Sequence, residues 1–485
     1  MATECELKLE LPAVTDPEAL RALLSLGPSR VTRMRATYFD TPDFALAKQD
    51  CSLRIRQEGR RRVQTVKAPA APAAGLLTRR EYEQPARGAA PRLDPGSPAA
   101  LLLGDRVEEL GPRFDVAVTR RTWQLDTGRA EIELALDLGQ AHAGGEASDF
   151  CEIEAELRGG DVGELFMLGR RISRLAPARI GVLTKAERAR RLLRDPAKAD
   201  KARAIALTRE MSAGDAFRLI AHGCITHYRL NEARLLVADD PEAVHQARVA
   251  LRRLRTALRI FRPLADGRAM RRFNQDARWL GARLGAARDL DVLLDRAEAA
   301  GPRRRIQAAR EQAYAHMRLA IDSDLARELM IDLAQWLTIG KWARGKDRRR
   351  DGPVARYAAK AMDRLHERLL EEGDAVGGAD DHLRHEARKT AKTLRYATEF
   401  FARLHDGGKR RKARIRYLAG LEELQDHLGL LNDMAIMPQA LHRLGIAHDE
   451  ALAMTGRPGA ADLSRLQAAD AMAVVRDAKR FWQGD

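Results

Sequence analysis

Glu4-Cys5-Glu6-Leu7-Lys8 is the stretch that decides how the first half of this chain reads. Successive side chains of a strand point to opposite faces, so Glu4, Glu6 and Lys8 share one side while Cys5, Leu7 and Leu9 share the other. Two carboxylates and an ammonium on one strand face suit a site that holds a metal ion and a phosphate together. For a single such strand the favoured reading is an edge strand with a solvated charged face. Its recurrence along the next 150 or so residues favours the site.

Working outward, residues 16–26 read as a short amphipathic helix. Alternation predicts strands over 31–40, 52–57, 62–67, 77–84, 116–125, 129–137 and 150–157. On their polar faces these carry Arg54 and Arg56, Thr65 and Lys67, Arg79 with Glu81 and Glu83, Arg120, Glu131 and Glu133, and Glu152, Glu154 and Glu156. About eight strands of roughly five to eight residues, joined by short connections, predict an antiparallel barrel or strongly curled sheet. Ala/Pro/Gly-rich stretches at 68–75 and 87–100 are expected as loops over an opening. If the charged faces meet water, the opposite faces need a core supplied by helices outside the sheet. If they point inward, they line a tunnel with carboxylates on some strands and Arg or Lys on others. Burying so many charges is costly unless they pair or bind ions, so a tunnel of this kind is a binding site. The distribution of signs favours the tunnel.

The bulk numbers set the frame. The 485 residues suffice for two or three domains, and 32% charged with 5% aromatic residues point to abundant helix surface. The formal charge is +16. Residues 1–200 hold 32 Lys and Arg against 30 Asp and Glu, which leaves 53 against 39 in the remainder. The basic partner surface therefore belongs to the second part and implies a polyanionic ligand. Cys5, Cys51, Cys151 and Cys224 are scattered without a CxxC pair, so zinc and dithiol chemistry are not expected. No apolar run is long enough to span a bilayer, and a strand starting at residue 4 leaves no room for a leader, so a cytoplasmic location is expected.

The first part resembles the CYTH, or triphosphate tunnel metalloenzyme, family. The resemblance is carried, in order, by Glu4-x-Glu6-x-Lys8, Tyr38-Phe39-Asp40-Thr41-Pro42, Arg54-x-Arg56, Thr65-Val66-Lys67, Glu131-x-Glu133 with Asp137, Cys151-Glu152-Ile153-Glu154 and Lys185-Ala186-Glu187-Arg188. It implies an eight-stranded antiparallel tunnel that binds a triphosphate and Mg²⁺ or Mn²⁺. By that resemblance Glu4, Glu6, Glu152 and Glu154 form the metal side. Lys8, Arg54, Arg56, Lys67, Arg79, Arg120 and Lys185 form the substrate side, and Lys8, Glu131 and Glu133 are the catalytic candidates. Oxygen donors suit hard cations, and facing Lys and Arg would stabilise charge developing during phosphoryl transfer.

After a charged, Pro-containing linker near residue 200 the sequence turns helical and repeats itself. His245, Arg248, Arg252 and Arg255 are echoed by His385, Arg388, Lys392 and Arg395. Spacings of three, four and three place each set along one helix face. Leu284-Gly285 with Asp289 is echoed by Leu428-Gly429 with Asp433. Like charges at i,i+4 weaken a helix slightly, so two matched copies imply a purpose. The pattern resembles the CHAD family, which implies two pseudo-symmetric four-helix bundles and polyphosphate binding by these eight residues. In the second copy Lys392 stands where the first has Arg252, keeping the charge but losing the bidentate fork. Few aromatics accompany the stripes, which argues against nucleic acid as the partner.

The expectation is therefore a multidomain protein, α+β then all-α. It comprises a tunnel domain over 1–198, a helical domain over 207–448 and a helical extension over 449–485. It would hydrolyse inorganic triphosphate and bind polyphosphate at cytoplasmic granules. The alternatives are a polyphosphate-binding protein without catalysis, and an enzyme acting on an organic triphosphate such as thiamine triphosphate or ATP.

Overall fold

The computed structural model describes residues 3–12, 15–68, 76–195, 198–265, 267–297, 300–373, 380–447, 450 and 459–483. Two compact units emerge, residues 1–200 with 321–341 and residues 201–320 with 342–485.

The first unit is built on one sheet of β1 (Thr3–Leu11), β2 (Arg30–Asp40), β3 (Ser52–Glu58), β4 (Arg61–Ala68), β5 (Leu76–Pro85), β6 (Gly111–Asp126), β7 (Ala130–Ala143), β8 (Glu146–Gly160) and β9 (Arg179–Ile180). Their order is β5-β4-β3-β2-β6-β7-β8-β1-β9, with every pairing antiparallel. Strand β1 is bonded along Thr3–Leu7 to β5 and along Glu6–Leu11 to β8.

Among the described residues nine strands stand where eight were expected, because two-residue β9, which pairs with Leu9 and Glu10, is too short to show alternation. Strands β6, β7 and β8 span 16, 14 and 15 residues, each longer than the stretch expected for it over 116–125, 129–137 and 150–157. Their ladders continue past the charged alternation to tight hairpins, where Gly128 (φ 75°), Gly144 (φ 59°) and Gly145 (φ 85°) take the left-handed conformations such turns need. The connection expected over 68–75 falls, for residues 69–75, outside the described residues.

The apolar faces are covered by helices. On one side α4 (Gly163–Leu175) buries Leu165, Phe166 and Ile172 over β1 and β8, where Leu7, Leu9 and Ile153 are also fully buried. Each such side chain contributes about 1.5–3 kcal/mol by leaving water. Gly169 permits the approach, since a Cβ there would lie 2.8 Å from Leu7 Cδ2. A second core packs Phe39, Leu46, Leu53, Ile55 and Val66 with α2 (Ala45–Lys48) and α3 (Pro98–Leu103). A third lies on the cavity side of the sheet, where Ala36, Tyr38, Phe114, Val116, Val118 and Phe150 pack with Ala189 of α5 (Lys185–Arg191). A capping box between Thr184 and Glu187 fixes the start of α5, and with it the position of Lys185.

Helix α10 (Asp324–Ile339) completes this unit, although it comes from the midst of the helical sequence. It packs against α4 and β9. Arg170 donates to Gln335 at 2.6 Å and Asp332 at 3.2 Å, Arg174 donates to Glu328 at 2.6 Å, and Arg179 pairs with Asp322.

The second unit contains α6 (Ala213–Leu235), α7 (Pro241–Ile260), α8 (Gly267–Arg296), α9 (Ala300–Ile321), α11 (Val354–Gly373), α12 (Asp381–Phe400), α13 (Gly408–Arg443) and α14 (Ala460–Asp477). Helix α7 packs on α6, α8 and α12, while α12 packs on α11 and α13. The repeat is visible in the backbone. Helices α7 and α12 start 140 residues apart, are N-capped by Asp240 and Asp380, and run into Phe261 and Phe401, each followed by a short 3-10 turn. Helix α14 lies along α13 and α11, and Trp482 beyond it donates to Asp363 at 2.9 Å. Among the described residues no helix is long and apolar enough to cross a membrane.

Candidate active site and a basic helical seam

Charged faces of the sheet line a cavity of about 320 Å³. Register explains which side chains meet there. Lys8 on β1 lies opposite Glu154 on β8, Glu6 opposite Glu156, Glu133 on β7 opposite Glu156, and Arg120 on β6 opposite Asp137. On the far wall Tyr38 lies opposite Arg54, Ala36 opposite Arg56, and Lys67 opposite Glu81. The charged faces thus line one cavity, and helices pack on the other faces.

Glu154 is the centre of this network. Lys8 and Lys185 each approach it at 2.8 Å, and Arg120 pairs with it as well. Arg120 also forks onto Asp137 with two bonds of 2.7 Å, and Lys185 lies 2.8 Å from the same carboxylate. Glu152, with no exposed surface, accepts from Lys8 at 3.2 Å and pairs with Lys185. Burial alone disfavours every one of these charges, and the partners decide the outcome. Against burial, Lys185, Lys8 and Arg120 hold Glu154 well below the usual carboxylate range, and Lys185 and Arg120 hold Asp137 low. Against burial, Glu152 and Glu154 raise Lys8, and Asp137, Glu152 and Glu154 raise Lys185 far above its ordinary value. Glu6 goes the other way. Burial and the Glu154 charge raise its pKa more than Lys8, Lys67 and Lys185 lower it.

Of the residues singled out in the sequence, Glu6, Lys8, Arg54, Arg56, Lys67, Arg120, Glu133, Glu154 and Lys185 line the cavity. Glu152 does not, and sits behind Lys8 and Lys185. Glu131 is exposed at the hairpin end of β7, beside a register irregularity with Ile132, and does not reach the cavity. Glu4 on β1 and Arg79 on β5 are paired in the ladder, but their side chains lie outside the described residues. The lining adds Glu81, Glu83, Glu156, Arg158 and an apolar strip of Met34, Ala36, Tyr38, Val116 and Val118. Asp137 belongs to the network without having been given a role. Its even spacing from Glu133 put it on the same strand face, which was the available signal.

Could the carboxylates take a cation? Asp137, Glu152 and Glu154 offer oxygens within 4.8 Å of one another. Each also carries an ammonium or guanidinium, so these three do not form a free cage. Glu6 is the donor that fits: a cavity-lining carboxyl beside the Glu154 anion, whose raised pKa means that a cation would displace its proton on binding.

In the helical unit the two stripes converge where α7 meets α12. Arg252 lies close enough to Arg395 and Arg388 for mutual repulsion to be felt, as does Arg248 to Arg388. The buried Nε atoms of Arg252, Arg388 and Arg395 have no hydrogen-bond partner. Counter-ions are few and peripheral: Asp289 at 3.1 Å from Arg248, and Glu399 and Glu422 at 3.7 and 3.6 Å from Arg395. His245 stands beside Arg288, and its pKa is lowered by burial and then by that charge. His385 is half-buried. Arg255 points elsewhere, donating to Asn274 at 3.0 Å.

Fold and site together define a protein with a charge-lined antiparallel sheet joined to a duplicated helical unit with a basic seam. Residues 2–189 match the CYTH domain family and residues 219–442 the CHAD domain family, so the chain belongs to the proteins that join these two domains. An inorganic triphosphatase from Haemophilus influenzae is 36% identical over 176 residues, covering 34% of this chain and 48% of that relative. The match thus spans about half the relative's length. Among solved structures, a CHAD domain from the plant Ricinus communis shares 28% identity over 58% of this chain and 98% of its own, with a TM-score of 0.48. A Hippeastrum protein described as an adenylyl cyclase with dominant triphosphatase activity shares 20% identity over 40% of this chain and 98% of its own, with a TM-score of 0.29.

Proposed function

We propose that the sheet encloses a catalytic tunnel in which inorganic triphosphate is hydrolysed to diphosphate and phosphate with Mg²⁺ or Mn²⁺. One observation carries this reading: a single cavity gathers Glu6 and Glu154 with Lys8, Arg54, Arg56, Lys67, Arg120 and Lys185, so both signs needed for a metal–phosphate pair line one space. Glu6 would hold the cation, with Glu4 two residues along β1 as a second donor. The ion's chemistry there is to neutralise phosphate oxygens as charge shifts to the leaving group.

The chain's own residues do the rest. Arg54 and Arg56, adjacent on β3, and Lys67 opposite Ser52 form the wall that would bind non-bridging oxygens. Lys8 and Lys185 stay protonated among their carboxylates, so they act as electrostatic stabilisers and not as bases. Glu133 and Glu156 would orient the attacking water, whose oxygen bonds to the terminal phosphorus as the bridging P–O bond breaks. Arg158 steadies both, at 2.9 Å from Glu133 and 2.6 Å from Glu156.

The basic seam of α7 and α12 would bind inorganic polyphosphate, concentrating it near the protein or tethering the chain at cytoplasmic granules. Two pseudo-symmetric four-helix bundles within residues 207–448, with 449–485 as an extension, belong to the same proposal. The test is phosphate release from triphosphate, ATP, thiamine triphosphate and long-chain polyphosphate with each metal. Release from triphosphate that disappears in Glu6→Gln supports the enzyme, and no release from any substrate leaves a binding protein. A second reading has its own support. The apolar strip along β2 and β6, which packs against α5, also borders the cavity, and preference for ATP or thiamine triphosphate in the panel would assign it to an organic group.

A further inference from the structure

The seam between α7 and α12 contains one cation unlike its neighbours. Lys392 is half-buried, with Arg388 and Arg395 on its own helix and Arg248 and Arg252 facing it from α7. The carboxylates nearby attend to the arginines instead: Asp289 to Arg248, Asp433 to Arg388, and Glu399 and Glu422 to Arg395. Tyr396 lies beside Arg252 and under the Arg395 guanidinium. His245 stands by Arg288, Arg252 and Arg248. No carboxylate among the described residues pairs with the Lys392 ammonium.

A guanidinium keeps its charge under these conditions, whereas an amine surrounded by four of them gives up its proton. Burial first, then Arg388, Arg252, Arg248 and Arg395, push Lys392 down to about 7. A polyanion laid along the seam reverses the local field, so the amine regains its proton on binding.

We propose that the seam takes up a proton together with its polyanion, and that Lys392 is the group that receives it. This rests on the reading of the seam as a polyphosphate site. The repeat provides an internal control, because position 252 carries the non-titrating Arg at the equivalent place. Affinity is then expected to fall about tenfold per pH unit above neutrality until the bound-state pKa is reached.

The experiment is calorimetric titration of the full chain with long-chain inorganic polyphosphate at pH 8.5, in a chelator and in two buffers of different ionisation enthalpy. A bound imidazole contributes little at that pH, so uptake reports the amine. The wild-type chain should take up close to one proton per seam, and K392R close to none, with affinity that stays flat from pH 7 to 9. R252K, which adds a second amine, should increase the uptake and steepen the pH dependence. Equal uptake in wild type and K392R, or none in the wild type, overturns the inference while the polyphosphate site stands. If R252A with R388A binds polyphosphate as the wild type does, the site itself is refuted instead.

Discussion

Glu154 accepts three cations, and Glu152 supports two of them without touching the cavity. Carboxylates lining the cavity and carboxylates behind it should therefore respond differently to substitution. Glu6→Gln should lower phosphate release from triphosphate about 10²–10³-fold while leaving the urea midpoint near that of the wild type. Glu152→Ala should cost about 3–5 kcal/mol of unfolding free energy, because Lys8 and Lys185 lose a fully buried counter-charge. Equilibrium urea denaturation with a phosphate-release assay separates the two. The alternation of Glu4, Glu6 and Lys8 was legible in the sequence because the side-chain period of a strand is two whatever surrounds it. The depth of each residue was not. Glu131 and Glu133 share a parity, yet a register irregularity and a hairpin leave Glu131 in solvent.

Among the elements, the paired helices α7 and α12 were the most legible, since a stripe of one His and three cations appears twice with the same spacing. What spacing leaves open is which stripe faces which, because that depends on helix packing. Their caps differ in a way that can be measured. Asp380 accepts from the N–H groups of His382 and Leu383, whereas Asp240 accepts from Ala243 and also holds Arg234 at 2.9 Å. Loss of a cap costs about 1 kcal/mol. Asp240→Ala should therefore cost more than Asp380→Ala in parallel urea titrations. Strand β9 and helix α10 escaped the sequence for opposite reasons. One is too short to carry a period, and the other is a well-formed helix whose partner lies more than 150 residues away.

At the scale of the whole molecule, acid should act on the helical unit before it reaches the carboxylate network. Burial keeps His222, His366 and His405 neutral, at about 3, 4 and 4, against about 6.5 in an unfolded chain. Their folded pKa values are depressed, so the unfolded state binds more protons below pH 6.5 and stability falls as pH drops. The loss is about 1.4 kcal/mol per pH unit for each histidine. Urea midpoints at pH 7.5 and 5.0 measure it. Helix α10 has a different consequence. The backbone crosses between the two units at 200/201, again at 320/321 and again at 341/342. A single protease nick near residue 200 should therefore yield fragments that co-elute on gel filtration, since the larger piece carries the helix on which the smaller one rests. Gene fusion or exchange at that junction would inherit the same tie: a transplanted N-terminal segment arrives without one of its own supports, and the recipient left behind displays a helix made for an absent neighbour.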